Sequence, residues 1–446
     1  MAHIRDLEEV SLLSICREAA REGQKILDIF PAEGGTSVAL WGEDGKIVER
    51  DAGPGPHERP SRCGFPSLRF SEERDFPPDA FEPAAAPRAI IGEGMHVIPL
   101  GPVRADVAEA LRYEMDVLGD EIHSLTLRPG YKRRGVTRIL QGMEPSQAVE
   151  VAERTSGTST VAHALAFSLA VEHALGLEVD DSTAVLRSTL AELERLHSHL
   201  GDLASLAAAT GTIVAAADLY RLRDSVLRFG ERWTGHRYLR GLIAPVGWRR
   251  TLPDVSAELP SLLGTVEHQF QVVRHALDHT NSFLDRLHGA GRIPQEGLEL
   301  VGVVGRSAGR SEDVRWDRPY ASYPELCYGR LPAGFAAGDA YGRYVVRCEE
   351  IAQSVAMLRR AGGHAAAATP AAERGDGLGY GLVEAPRGRL FYRVALRGGR
   401  IAASRIRTAS SINWIAVPLA VANRNILQDF PIIDASFNLS VASLDL

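Results

Sequence analysis

Few residues in this sequence stand in a known catalytic pattern. The chain has no HExxH zinc motif, Walker phosphate loop, GxSxG nucleophile elbow or EF-hand loop. The four cysteines include no CxxC pair, which excludes both a disulfide framework and the usual cysteine-rich metal sites. They are Cys16, Cys63, Cys327 and Cys348.

Three histidines and a basic run are the remaining generic candidates for a site. His197 and His199 lie two residues apart on a predicted helix and point to different faces, which disfavours joint metal ligation. His163 follows the loop TSGTS, where it either packs as a satisfied buried histidine or lines a site. A basic run could form an anion site, although such runs are usually solvated faces. It comprises Lys132, Arg133, Arg134 and Arg138.

One glycine-rich run, GDGLGYG, begins near Gly375. Its spacing differs from the GxGxxG pattern of dinucleotide-binding turns, and it leads into a strand-like segment. We therefore expect a flexible turn here in preference to a dinucleotide site.

The composition is that of an ordinary globular protein. The chain has 446 residues, enough for about two to four domains. Hydrophobic residues make up 45% and charged residues 24%, which excludes a largely disordered or fibrous chain. The net charge of -7 excludes a general nucleic-acid footprint. No apolar run reaches about 18 residues and the N-terminus is acidic and amphipathic, so we expect neither a transmembrane span nor a signal peptide.

Three regions differ in sequence character. Residues 1–51 predict a small α+β unit, with a helix over EEVSLLSICREAAREGQKILDIF and strands at SVALWG and KIVERD. Residues 52–92 are rich in proline, which interrupts helices and removes ladder donors, and predict a linker. Residues 93–446 predict the main domain.

The main domain is predicted to be α+β and mainly α, a central helical bundle with peripheral β-hairpins and a small sheet. Alternating residues predict a hairpin around the turn LGDE, and a second hairpin surrounds the turn RGG. An apolar helix is expected to begin with Thr160 as its cap and to end at Gly176. Further helices are predicted over Leu259–Leu287 and after Gly338. A leucine stripe predicts a bundle helix through Leu186, Leu190, Leu193, Leu196, Leu200 and Leu203.

The order of segments carries a family resemblance. ERTSGTSTVAHALAFSLAVEHALGLEV, LAELERLHSHL, GDAYGRYVVRCEEIAQS, VEAPRGRLFY and DFPIIDASFNLS follow one another in the main domain. From about Met95 to Leu446 this order resembles the large subunit shared by membrane-bound nickel-iron hydrogenases of the formate hydrogenlyase type and by the quinone-side catalytic subunit of respiratory complex I. The N-terminal unit resembles, by position, a shortened complex I accessory subunit.

The resemblance implies a setting for the chain. A hydrogenase large-subunit-like fold would dock on a small iron-sulfur subunit, which holds the clusters, and on antiporter-like membrane subunits. The chain would lie peripherally on the cytoplasmic side of the cell membrane. It would bind no cofactor of its own, while quinone or another small acceptor could enter its cavity.

The sequence departs from the family where the metal would bind. The resemblance places Ser156, Ser159, Ser440 and Ser443 at the four positions of the nickel-ligating cysteines. Neutral hydroxyls bind such metals feebly, so we expect no metal there. The acid that relays protons in hydrogenases is replaced near Thr137, and the two quinone-contacting donors of complex I correspond to Arg104 and Gly157.

Four residues remain as cavity candidates, namely Arg104, Arg154, His163 and Arg387. Together with Arg133, Thr137 and the serines they could form a cationic, hydroxyl-lined pocket suited to an anionic or polar acceptor. Alternatively, the arginines pair with acids such as Glu153 and Glu384. The sequence thus favours a nickel-free oxidoreductase subunit that passes electrons to quinone or another acceptor, coupled to ion translocation. A non-catalytic coupling subunit is the alternative, and an active hydrogenase is least favoured.

Overall fold

A computed structural model gives the fold of this chain. The structure describes residues 18–19, 21–32, 35–42, 46–51, 94–104, 109–294, 298–326, 329, 331, 337–369, 375–422, 424–444 and 446. They belong to two compact units, one formed by residues up to 93 with 297–299, and the other by residues 94–296 and 300–446. Among the described helices, none has the length and apolarity needed to cross a bilayer.

The first unit contains a three-stranded antiparallel sheet. Its strands are β1 (Lys25–Ala32), β2 (Gly35–Trp41) and β3 (Ile47–Asp51), with β2 in the middle. β2 and β3 confirm two predicted strands, but the prediction that KILDIF continues a helix is wrong. This segment pairs along β2, with Ile26 opposite Leu40, so cross-strand pairing overrides its helical period. Residues 1–17 and the predicted linker 52–92 lie outside the described residues.

The second unit has two three-stranded antiparallel sheets. The first orders β4 (Met95–Leu100), β5 (Arg112–Leu118) and β6 (Glu121–Arg128), and it confirms the predicted hairpin. The second orders β9 (Gly377–Ala385), β10 (Gly388–Arg397) and β11 (Arg400–Arg407). A two-stranded ribbon, β7 (Ile243–Ala244) and β8 (Gly247–Trp248), lies between them in sequence.

Helices form about half of the second unit. The helices before β9 are α1 (Val136–Leu140), α2 (Pro145–Ala152), α3 (Thr160–Leu175), α4 (Asp181–Ala209), α5 (Ile213–Thr234), α6 (Leu259–Asp278), α7 (Asn281–Leu287), α8 (Gly302–Ser307), α9 (Val314–Asp317), α10 (Tyr323–Leu326) and α11 (Ala340–Ala361). After β11 come α12 (Ala409–Asn413), α13 (Ala416–Val421) and α14 (Phe430–Phe437). The predicted leucine stripe lies on α4 and is fully buried against α5, α11 and α14.

Two local predictions about the helices are corrected. The helix predicted over Leu259–Leu287 is two helices, because the chain leaves the helical conformation at Thr280. α3 ends at Gly176 as predicted, in a left-handed conformation that suits glycine. Its N-cap, however, is Ser159 and not Thr160, and the cap residue makes no side-chain hydrogen bond there. The first turn is capped by a residue from another helix, described below.

The glycine-rich run is neither a flexible turn nor a dinucleotide site. Gly377, Gly379 and Gly381 lie in β9 and face helix α3. A Cβ atom added at Gly381 would lie 1.8 Å from the carbonyl oxygen of Ala166, and one at Gly379 would lie 2.0 Å from that of Ala170. These strand positions must therefore be glycine for α3 to lie directly on the backbone of β9.

A network of buried charges joins α4 to α11. The carboxylate of Glu350 accepts a hydrogen bond from Arg306 Nε at 2.8 Å and lies 2.8 Å from His199 Nε2. Arg195 Nη1 lies 3.5 Å from the same group, and all four side chains are buried. Burial alone would raise the pKa of Glu350, but Arg306 and His199 outweigh it and hold the pKa well below its ordinary value. Glu350 is therefore an ionised group whose partners depend on it.

Candidate functional site: a hydroxyl-lined cavity

Four segments that are distant in sequence meet at one small cavity of the second unit. The loop before α3 and its first turn meet the turn between β9 and β10, the start of α12 and the loop after α14. The lining residues are Ser156, Ser159, His163, Ala385, Arg387, Leu390, Thr408, Ala409, Ser410, Ser440 and Ser443. The free space is roughly that of one water molecule.

The first turn of α3 is held in place by a carboxylate from α4. Glu194 accepts hydrogen bonds from the backbone N–H groups of Val161 at 2.6 Å and Ala162 at 2.9 Å. These N–H groups would otherwise have no partner, as at any helix N-terminus. Because Ser159 and His163 flank them, Glu194 fixes the side of the cavity that α3 provides.

Burial raises the pKa of Glu194 to about 8, although the two N–H groups and nearby arginines oppose that shift. The folded protein therefore holds a proton on Glu194 that the unfolded chain releases from about pH 4.5 upward. This group lowers the free energy of unfolding progressively as the pH rises from about 4.5 to 8.

We expect Glu194→Gln to flatten the pH dependence of stability between pH 5 and 8. Glu194 contributes at most about 1.4 kcal/mol per pH unit to the slope of the unfolding free energy against pH, because one proton is involved. Denaturant titrations at several pH values measure it. The exposed Glu178, changed to glutamine, is the matched control and should keep the wild-type slope. An unchanged slope in Glu194→Gln would contradict the raised pKa.

Arg387 provides the cationic wall of the cavity. Its Nη1 donates to Thr158 Oγ1 at 2.7 Å, its Nε donates to the carbonyl of Asn438, and its Nη2 lies 3.3 Å from Asp202 Oδ1. The turn that carries it is tightly packed: a Cβ added at Gly302 would lie 2.1 Å from the carbonyl oxygen of Arg387. The backbone therefore fixes where this guanidinium enters the cavity.

Asp202 is shared between two arginines behind the cavity. It lies 3.3 Å from Arg387 Nη2 and 3.2 Å from Arg347 Nε, and Asn438 Nδ2 also donates to it. Burial would raise the pKa of Asp202, but the two guanidinium groups hold it below the ordinary value. Asp202 is thus an anion that orients Arg387 and neutralises part of its charge.

His163 is a neutral group on the opposite wall. It is buried, and its Nδ1 lies 2.8 Å from the hydroxyl of Tyr392 on β10. Burial, with a contribution from Arg134, lowers the pKa of His163 to about 3. At neutral pH the ring carries no charge, and it has one nitrogen besides that facing Tyr392 for a further hydrogen bond.

The four serines that the resemblance aligns with metal-ligand positions all line this one cavity. Ser156, Ser159 and Ser443 are buried and Ser440 is half-buried. Within the part of the chain that the structure describes, their hydroxyl groups make no hydrogen bond to another residue and face the cavity. Because hydroxyl groups inside proteins normally have hydrogen-bond partners, these four are free to bond to a polar molecule in the cavity.

The other predicted site residues lie outside the cavity lining. Arg104 lies 3.5 Å from Asp434 and over the ring of Tyr113. Arg154 is half-exposed and paired with Glu153 at 2.9 Å, which is the alternative that the sequence left open for it. Arg387 pairs with an acid too, although with Asp202 and not with Glu384.

Thr137 and the basic run also stand apart from the lining. Thr137 is half-buried, and its carbonyl accepts from Ser404. Lys132, Arg133 and Arg138 are exposed, as expected of a solvated face. Arg134 differs, because its guanidinium donates to the carbonyls of Arg154 and Ala442 and so ties the first loop to the C-terminal loop.

Sequence reasoning missed Thr408 and Ser410 in the lining and Asp202 behind it. Thr408 caps α12 in a reciprocal capping box with Ser411, and Ser410 Oγ accepts from the N–H of Ser440 at 3.1 Å. The capping pattern TASS after a strand was a usable signal for Thr408. Asp202 follows the leucine-rich ELERLHSHL segment, and nothing local separates it from an ordinary helix acid.

The donor set does not fit a nickel-iron centre. Such a centre needs soft, ionised sulfur ligands, whereas the cavity offers neutral hydroxyls and a guanidinium whose positive charge repels a metal ion. Within the described residues, no group of three or more histidine, cysteine, aspartate and glutamate side chains is arranged to hold a metal.

Comparisons with known families match two models. The model described as "Respiratory-chain NADH dehydrogenase, 49 Kd subunit" matches residues 209–375, and the model described as "Nickel-dependent hydrogenase" matches residues 134–209. The two matches meet within α4, so they divide the helical bundle between them.

Individual relatives include both hydrogenase subunits and NADH-quinone oxidoreductase subunits. Hydrogenase-4 component G of Escherichia coli is 29% identical over 352 residues, 77% of this chain and 60% of that protein. NADH-quinone oxidoreductase subunit 4 of Thermus thermophilus is 29% identical over 266 residues, 59% of this chain and 64% of that protein. The membrane-bound hydrogenase subunit alpha of Pyrococcus furiosus is 28% identical, over 68% of this chain and 76% of that protein. The chain thus spans less than two thirds of the length of the first two relatives.

A solved structure has the same fold. A chain from the membrane-bound sulfane sulfur reductase, an archaeal respiratory membrane complex, superimposes with a TM-score of 0.73 at 20% identity. The match covers 80% of this chain and 100% of that chain. At this identity the likeness concerns the fold, and function must be argued from the site.

Proposed function

This chain belongs to the large-subunit family shared by nickel-dependent hydrogenases and the 49 kDa subunit of respiratory NADH dehydrogenase, and from that premise we propose that it is a nickel-free electron-transfer subunit of a membrane-associated oxidoreductase complex. The observation that carries the proposal is the cavity. The four serines, Arg387 and His163 line one cavity. Their hydroxyl, guanidinium and imidazole groups suit a polar acceptor and not nickel.

The proposal assigns the electron carriers to partner subunits. The described residues contain no group of metal-ligating side chains, so clusters that deliver electrons would belong to a small iron-sulfur subunit. Antiporter-like membrane subunits would couple the reaction to ion movement on the cytoplasmic side of the membrane. Within this chain, Arg387 and the hydroxyls would orient a polar acceptor, and Asp202 would hold Arg387 in position.

A second candidate is a non-catalytic coupling subunit, and the size of the cavity favours it. The free space is roughly that of one water molecule, which is far smaller than a quinone ring. Arg104, which the resemblance aligns with a quinone-contacting residue, pairs with Asp434. In this role the family surfaces would hold the complex together without chemistry in the cavity.

Co-purification tests the shared part of both candidates. Mass spectrometry of the assembly isolated from gently solubilised native membranes should recover an iron-sulfur subunit and polytopic membrane subunits with this chain. Recovery of the chain alone from the soluble fraction would contradict both candidates. Metal analysis of the same preparation should show no stoichiometric nickel, whereas one nickel per chain would restore the hydrogenase interpretation.

Arg387→Ala separates the two candidates. In the electron-transfer role we expect the complex to assemble but to lose most of its acceptor-reducing activity, at least tenfold. A coupling subunit would assemble and keep that activity. Arg228, an exposed residue of α5, gives the matched control Arg228→Ala, which should change neither assembly nor activity.

A further inference from the structure

The structure assigns to the cavity a binding site for one small monovalent anion of about the size of chloride. This inference deepens the proposed function, on which any role of the site in electron transfer rests, but anion binding itself can be measured without electron transfer. Nothing in the resemblance requires it, because the family's metal ligands are the residues that this chain lacks.

The hydroxyl ring supplies the first argument. The hydroxyls of Ser156, Ser159, Ser440 and Ser443 line one cavity and make no hydrogen bond to another described residue. These hydroxyls face the cavity from the loop before α3 and the loop after α14, so an occupant that accepts hydrogen bonds would give them the partners that the protein does not. An anion accepts from all four at once, because each hydroxyl can turn its proton inward.

The charge behind the ring supplies the second argument. Two buried arginines, Arg347 and Arg387, share a single ionised carboxylate, Asp202, and a third buried arginine, Arg343, lies beside Arg347 on α11. Arg343 donates to Ser436 Oγ and to backbone carbonyls. Burial and Arg347 lower the pKa of Arg343 to about 9, so it remains charged at neutral pH. Asp339, at the start of the same helix, acts on Arg343 as a carboxylate partner, so the three arginines exceed Asp202 and Asp339 by one positive charge.

The surrounding carboxylates reduce this excess but do not reverse it. The neighbouring network sets Arg195, Arg306 and Arg315 against Glu192, Glu350, Asp313 and Glu384, so it adds at most one negative charge. Burial raises the pKa of Glu384 to about 7, so this carboxyl group is partly protonated at neutral pH and the negative charge of the network is smaller still. Glu194 faces the cavity side of α3 with its pKa raised to about 8 and is mostly protonated at neutral pH.

Charge and size together define the occupant. A cation is excluded because the guanidinium of Arg387 lines the cavity. A neutral water would meet some hydroxyls but would leave Arg387 to share the carboxylate of Asp202 with Arg347. Sulfate and phosphate exceed the free space, which is roughly that of one water molecule, whereas a single-atom anion needs only small rotations of the hydroxyls.

Equilibrium dialysis with radiolabelled chloride tests the inference on the full chain in the assembly in which it is isolated. We expect one saturable chloride per chain, not displaced by equimolar sulfate. Arg387→Met removes the charge at similar length and should weaken binding at least tenfold. The control Arg228→Met should bind as the wild type does. No saturable chloride, or undiminished binding in Arg387→Met, would overturn the inference, as would saturable sodium uptake in its place.

A second variant keeps the test valid if Arg387→Met fails to fold. Ser159→Ala combined with Ser443→Ala removes two hydroxyls that have no partner among the described residues. In chloride-free buffer we expect this variant to melt no earlier than the wild type, and its melting temperature should not rise on adding chloride. A chloride-dependent rise equal to that of the wild type would overturn the site. Co-purification of the complex is independent of both results, so the two proposals fail separately.

Discussion

Replacing Glu350 with alanine should lower the free energy of unfolding by about 3–5 kcal/mol, the usual cost of removing one partner from a buried ionic network. The carboxylate lies at 2.8 Å from both Arg306 Nε and His199 Nε2, and all three side chains are buried. Without Glu350 the positive charges of Arg306 and Arg195 lose a common counter-charge in an environment that solvates them poorly.

The neighbouring residue on the same helix provides the control. Glu349 is half-exposed and pairs with Arg274 at 2.8 Å on the surface of α11. Glu349→Ala should cost at most about 1 kcal/mol, because water screens an exposed pair. Chemical denaturation of both variants measures the difference. Equal losses would mean that Glu350 contributes no more than a surface ion pair, which would contradict the network.

The fold was predictable wherever burial follows a simple period. The leucine stripe of α4 recurs at three and four residues and is fully buried, and the alternation of Tyr113, Met115 and Val117 gives the buried face of β5. Such patterns need no long-range information. The break at Thr280 and the strand at Lys25–Ala32 depend on what packs against those segments, and the sequence alone did not reveal them.

The cavity was predictable only in part, for a related reason. Ser156, Ser159 and His163 share one loop and helix start, whereas Arg387 and Ser440 reach the same cavity from other segments, and the family resemblance predicted the group. Their roles stay predictions. Arg104 and Arg154 also carried the resemblance, but nearby acids hold them away from the lining, and such pairing depends on side-chain geometry.

Asp202 shows what local reasoning cannot supply. It sits on a long helix among other polar residues, and only the fold brings Arg347 and Arg387 to it from two other elements. The same holds for Glu194, which caps a helix that begins more than thirty residues earlier. Long-range partners of this kind give a site its electrostatics, and they leave no spacing signal in the sequence.

The glycines of β9 are the clearest case of a pattern whose meaning comes from its neighbour. Gly377, Gly379 and Gly381 alternate along the strand, so all three face α3. That helix has Ala166 and Ala170 at the contact, and the two backbones lie so close that no Cβ fits between them. A glycine run read without the helix looked like a turn.

Gly381→Ala should therefore destabilise the protein strongly, by about 3 kcal/mol or more, because the helix or the strand must move to admit one methyl group. The added Cβ would lie 1.8 Å from the carbonyl oxygen of Ala166, and neither backbone can yield locally. Alanine normally gains over glycine within a strand, so the sign of the effect tests the close approach itself. Displacing α3 would also move Ser159 and His163, so we expect Gly381→Ala to bind chloride more weakly as well as to be less stable.

Gly264→Ala is the matched control. Gly264 lies within α6, and a Cβ added there meets nothing within 4 Å. This substitution should stabilise the protein by up to about 1 kcal/mol through helix propensity alone. Thermal and chemical unfolding of the two variants should thus shift in opposite directions. If Gly381→Ala were as stable as the wild type, α3 could not lie on β9 as closely as described, and the position of the cavity wall that it carries would be wrong as well.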